Sequence, residues 1–215
     1  MYAISANYGG FVARMIFKPI EESSRNLFAN LCAASSSDQL QALKKDAPNA
    51  IADEKRQDLT AASTTLTLLL RTYATISLPL FALGPSLAPL FLRLIAGPHW
   101  TFSGAGTVLG TYCYYIPLLA INGVSEAFVA ATANARDLGF QSAMMTALSA
   151  LFAGSAWLFL QRWGWGAEGL VWANCANMGL RVVFNLWYCG TYFEGRGQVS
   201  RTLARECVRF RRFMY

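Results

Sequence analysis

The sequence predicts an all-α fold, a polytopic transmembrane helix bundle of about five spanning helices. Three observations predict it: the weight of apolar residues, their grouping into stretches of membrane length, and a lopsided distribution of positive charge. Of 215 residues, 54% are hydrophobic and only 14% charged, with a mean hydropathy of +0.32, too apolar for an ordinary soluble domain. Apolar stretches recur at about 2–32, 59–83, 104–134, 139–161 and 167–193, each reaching the roughly 20 residues a bilayer demands. Together they make a transmembrane bundle over 1–193, with a polar loop at 34–58 and a basic tail at 194–215.

The first stretch contains the run VARMIFKPIEES at 12–23. Asn7, Gly10, Arg14, Lys18, Glu21 and Arg25 follow at three- and four-residue steps, so they share one face of a helix while Phe11, Met15, Ile16 and Ile20 turn elsewhere. An ionisable group inside a bilayer needs a partner, a backbone carbonyl or a water-filled cavity, and marks a pathway by default. The opening residues lack the basic region, uninterrupted apolar run and small-residue cleavage site of a signal peptide.

The second stretch repeats the pattern with Thr60, Thr64, Thr67, Arg71 and Thr75 on one face. Its Leu, Ile and Phe residues, at roughly 0.5 kcal/mol each, only just outweigh Arg71 at about 3 kcal/mol, so the helix needs neighbours. Pro79, Pro85 and Pro89 are expected to break this block, leaving 86–96 as a short turn or interfacial helix; Pro19 and Pro117 should kink their helices. In the third stretch Tyr115, Asn122 and Glu126 align; in the fifth, Asn174, Asn177, Arg181 and Asn185 do. Four stripes are thus expected to face inward together around a mixed, slightly basic interior, which suits an anionic headgroup such as phosphate. The alternative is that Arg14 with Glu21, and Arg181 with Glu126, are salt bridges that only register helices, with Asn and Thr as interhelical glue.

The loop 34–58, the hinge 135–138 and the tail carry eleven Lys and Arg residues, whereas the alternate connections offer only Arg93 and Arg162. The positive-inside rule therefore puts loop, hinge and tail in the cytosol, and the first helix runs inward from the far side. The far-side connections, GPHW at 97–100 and RWGWGAE at 162–168, are short and carry tryptophans, as interfacial anchors would. In the tail, Arg201, Arg205, Arg209 and Arg212 line one face, which fits either a helix lying on an anionic leaflet or a solvated charge cluster.

Most catalytic classes find no support. His99 is the only histidine, which rules against zinc clusters built on histidine and against Ser-His-Asp triads. The five cysteines are scattered without a CxxC and read as buried packing residues rather than disulfides or metal ligands. The glycines follow no dinucleotide or P-loop spacing, no cofactor is implied, and the basic tail has no nucleic-acid fold around it. A far-side carboxylate for glycosyl transfer is offered only by Glu168. The expectation is a membrane protein that is not an enzyme.

Three blocks carry a resemblance: ARMIFKPIEES at 13–23, TYCYYIPLLAINGVSEAFVAATA at 111–133 and WANCANMGLRV at 172–182. In this order they resemble the Rft family of dolichol-linked oligosaccharide translocation proteins of the endoplasmic reticulum. The resemblance implies a multidrug/oligosaccharidyl-lipid/polysaccharide exporter-type fold, two helical lobes around a central cavity. It also implies a flippase-like role in N-glycosylation, moving a mannose-rich pyrophosphate-dolichol oligosaccharide from the cytosolic to the lumenal face of the endoplasmic reticulum membrane. The alternatives are a non-transport scaffold of the same pathway or another exporter of the superfold. By position, Arg14, Pro19, Glu21 and Glu22 fall on the first family motif, Asn122, Gly123 and Glu126 on the second, and Asn174, Asn177 and Arg181 on the third. At the position of Lys18 the family more commonly holds glutamine. On this reading Arg14, Arg71 and Arg181 would neutralise phosphate; Asn122, Asn174 and Asn177 would bond sugar hydroxyls; and Glu21, Glu22 and Glu126 would complete the substrate-binding set, with Glu126 balancing charge or carrying a proton. The implied partners are membrane lipid, the lipid-linked oligosaccharide and an N-terminal lobe of the full-length protein. Family members are expected to be about twice this length, so the chain would be a C-terminal-lobe fragment, helices eight to twelve, inactive and poorly stable alone.

Overall fold

The computed structural model describes residues 2–33, 48–96, 105–162 and 164–196. Among them the fold is all-α. Helix α1 is Tyr2–Ala33, α2 Pro48–Ala96, α3 Ala105–Thr132, α4 Ala135–Trp157, widening to a π turn at Leu158–Arg162, and α5 Gly166–Glu194. Residues 34–47, the far-side GPHW segment and the tail from 197 onward lie outside the described residues, and with them the expectations placed there.

Helix α2 departs most from the sequence reading. It runs unbroken for 49 residues with Pro79, Pro85 and Pro89 inside it. Residues 48–58 are therefore helix rather than loop, and 86–96 is no separate turn. The reason lies in α3, which is the hub of the bundle: α1, α2 and α5 all pack on it, and α4 packs chiefly on α5. Gly106 and Gly110 of α3, four residues apart, open a shallow channel for the proline turns of α2. A Cβ on Gly106 would stand 3.2 Å from the Pro89 Cα, and one on Gly110 3.3 Å from the Pro85 Cα. Close approach through small residues is the usual substitute for hydrophobic drive between helices in lipid, and it holds the proline-bearing stretch against its neighbour despite lost backbone bonds.

Among the described residues three helices are long and apolar enough to cross a membrane: Arg56–Leu94, Ala105–Thr132 and Ala135–Arg162. Helices α1 and α5 have the length but carry the densest charged and amide side chains. In the core, Phe28, Leu66, Val124, Phe128, Cys189 and Phe193 bury together at one end, with the Phe128 ring edge-on to Phe28 at 5.2 Å. Cys32, Cys113, Cys175 and Cys189 are buried and in no disulfide among the described residues. The α4–α5 reversal turns on Gly164 and Gly166, at φ 65° and 58°, backbone angles that glycine adopts without strain.

Candidate functional site

The polar residues of α3 and α5 meet in a connected node. The Asn185 amide donates to Asn122 Oδ1 at 3.1 Å, and the Asn122 amide donates to Glu126 Oε2 at 2.8 Å. Glu126 Oε1 in turn faces the Arg181 guanidinium at 3.7 Å. Asn122 is 4% exposed and Asn185 0%, while Glu126 and Arg181 are only partly covered. Helix periodicity sets this up: Asn122 and Glu126 are one turn apart on α3, as are Arg181 and Asn185 on α5, so two facing pairs close a ladder.

Helix α1 adjoins the node through a gap left by Gly123. A Cβ there would lie 3.0 Å from Glu21 Oε2, so the missing side chain makes room for the carboxylate against α3. Glu21 also pairs with Arg25 at 3.9 Å. The node thus holds two carboxylates and two guanidiniums, a balanced charge. On α5, Asn177 Oδ1, Arg181 Nε and Asn185 Oδ1 are buried without a hydrogen-bond partner among the described residues, in a row at four-residue steps. Buried polar atoms are rarely left so, which makes this row two acceptors and one donor free for further bonding.

Glu22, Lys18 and Pro19 are exposed on α1. Asn174 donates back to the Leu170 carbonyl of its own helix at 3.1 Å. Arg14 lies in α1, but its side chain is outside the described residues. The four stripes do not all turn inward, because Thr60, Arg71 and Thr75 of α2 lie on its open surface. Its hydroxyls bond the preceding turn: Thr60 donates to the Arg56 carbonyl at 2.7 Å, Thr67 to Ser63 at 2.8 Å and Thr75 to Arg71 at 2.9 Å. A threonine stripe satisfied by its own helix can face lipid, so it gives no direction to a cavity. Asn185 belongs in the expected set; its four-residue step from Arg181 was the signal for it. Among the described residues no group of three or more His, Cys, Asp or Glu side chains could hold a metal ion.

Long apolar helices with ionisable side chains kept at helix contacts define a multi-pass membrane protein, in which polar groups are retained at inter-helix positions. The chain belongs to the Rft protein family, whose profile matches residues 1–211. It is similar to the Man(5)GlcNAc(2)-PP-dolichol translocation protein RFT1 of Saccharomyces cerevisiae, 30% identical over 90% of this chain and 30% of the relative. The protein of the same name from Xenopus tropicalis is 33% identical over 91% of this chain and 33% of its own length. That of Mus musculus is 34% identical over 90% and 33%. No solved structure matches the chain. The chain spans about a third of the length of these curated relatives, so they are nearer three times its length than the twofold expected.

Proposed function

We propose that the protein to which this chain contributes serves translocation of a mannose-rich pyrophosphate-dolichol oligosaccharide from the cytosolic to the lumenal face of the endoplasmic reticulum membrane, for N-glycosylation. The observation that carries this reading is the family match over 1–211 together with relatives whose names state that translocation. The charged node at the contacts of α1, α3 and α5 supports it. Ionisable groups retained at helix contacts of a membrane bundle mark a pathway by default.

The isoprenoid tail stays in lipid while the pyrophosphate and sugars pass a polar path between this bundle and the rest of the protein. Arg14 and the exposed Arg71 are the cations for phosphate, and the free acceptor of Asn177 is a group for sugar hydroxyls. Arg181 is held by Glu126 in the arrangement described, so it reaches phosphate only if that pair opens. A second reading, a scaffold of the same pathway, is favoured by one observation: the Asn185–Asn122–Glu126–Arg181 ladder joins α3 to α5 through protein groups alone. The first experiment is the profile of lipid-linked oligosaccharides in cells depleted of the protein. Accumulation of the intermediate completed on the cytosolic face is expected, and an unchanged profile overturns the assignment.

A further inference from the structure

Away from the node, where the α3–α4 hinge meets the end of α5, lies an open-mouthed cavity of about 320 Å³. That is at the lower end of the sizes usual for small-ligand sites, about 300–1,000 Å³. Asn134, Asp137 and Gln141 line one side, Trp187, Tyr188 and Arg196 the other. Asp137 Oδ2 accepts from the Asn134 backbone amide at 3.3 Å and from the Tyr188 hydroxyl at 3.4 Å. One oxygen thus fixes the hinge, and Oδ1 makes none of these bonds. The Arg196 guanidinium lies 3.6 Å over the Tyr192 ring, which holds it as a stacked planar donor. Trp187, which also lines the cavity, is 48% exposed and lies 6.2 Å from the Phe184 ring.

One carboxylate against one guanidinium gives the lining no net charge, so an anion finds little attraction here. A flat aromatic face beside carboxylate, amide and hydroxyl groups matches a different ligand. A hexose presents an apolar C–H face for stacking and a rim of hydroxyls that both donate and accept, and the rim meets acceptors in Asp137 and Gln141 and donors in Gln141 and Arg196. We propose that this hinge cavity is a binding site for neutral hexose residues of a glycolipid headgroup. The charge asymmetry of the connections places its mouth on the cytosolic side, where such a headgroup would be met before crossing. The identity of the sugar as mannose rests on the proposed function; the hexose chemistry of the cavity does not.

The test uses the full-length protein in detergent and a free mannose-rich oligosaccharide without its lipid, followed by saturation-transfer NMR. The wild type is expected to transfer saturation to the sugar C–H protons. Trp187→Leu and Asp137→Asn are expected to weaken binding at least tenfold, and Trp172→Leu, an exposed tryptophan on the opposite end of α5, to leave it unchanged. Thermal melts in detergent confirm that each variant is folded. Undiminished transfer in Trp187→Leu, or equal loss in Trp172→Leu, overturns the site. Binding lost as expected, in a protein whose depletion leaves lipid-linked oligosaccharides unaltered, upholds the hexose site and removes the translocation reading. The reverse pair of results removes the site alone.

Discussion

At the scale of single residues, the Glu126–Arg181 pair decides between the ligand-handling and scaffold readings. Each charge alone at a helix centre costs about 2.5–3.5 kcal/mol, so Glu126→Arg or Arg181→Glu should lower abundance several-fold. The double reversal restores the pair and should restore abundance. If the node handles an anionic headgroup, the double variant remains deficient in N-glycosylation, because the phosphate would now meet a relocated charge. Recovery of both abundance and glycosylation would show that the pair only registers α3 against α5. The pair itself was legible in the sequence, since four-residue steps at Asn122–Glu126 and Arg181–Asn185 place each set on one face. The stripe on α2 misled for a physical reason: periodicity tells which residues share a face but not what that face meets. Threonine satisfies its hydroxyl on the previous turn, so it needs no polar neighbour.

Among helices, the seam between α2 and α3 is the element-level device that the sequence reading missed. Gly106-Thr-Val-Leu-Gly110 has the small-residue spacing of a close helix contact, and the prolines opposite it read as helix breakers only because isolated-helix rules apply a cost of about 3 kcal/mol or more to an interior proline. Packed against a glycine channel, the same prolines form the contact surface. Gly110→Ile should therefore separate the two helices, since even a bare Cβ would sit 3.3 Å from the Pro85 Cα and Cα positions cannot swing aside. The expected result is a marked drop in detergent melting temperature and in folded yield. Gly154→Ile on α4, where a Cβ meets nothing within 4 Å, should leave both nearly unchanged. Equal behaviour of the two variants would mean that the seam carries no packing energy.

The whole molecule exposes a belt of large apolar residues, among them Leu78 and Leu90 on α2 and Leu151 and Trp157 on α4, which is the surface of a bundle solvated by acyl chains rather than water. Helix α2 is too long for that belt: 49 residues extend to about 70 Å at 1.5 Å per residue, against a hydrocarbon core of about 30 Å. Its polar first turns, with Asp53 and Arg56 exposed, must emerge on one side, and the expectation from positive charge is that this side is the cytosolic one, shared with the α3–α4 hinge. Arg136 in the hinge and Arg162 at the far end of α4 are both exposed and stand at opposite ends of one apolar helix. In sealed microsomes, with other reactive cysteines replaced by serine, Arg136→Cys should react with a membrane-impermeant maleimide at once. Arg162→Cys should react only after permeabilisation. The opposite order would invert the bundle, carry the hinge cavity to the lumenal side and leave its sugars to be met after crossing, as a release site instead of an entry site.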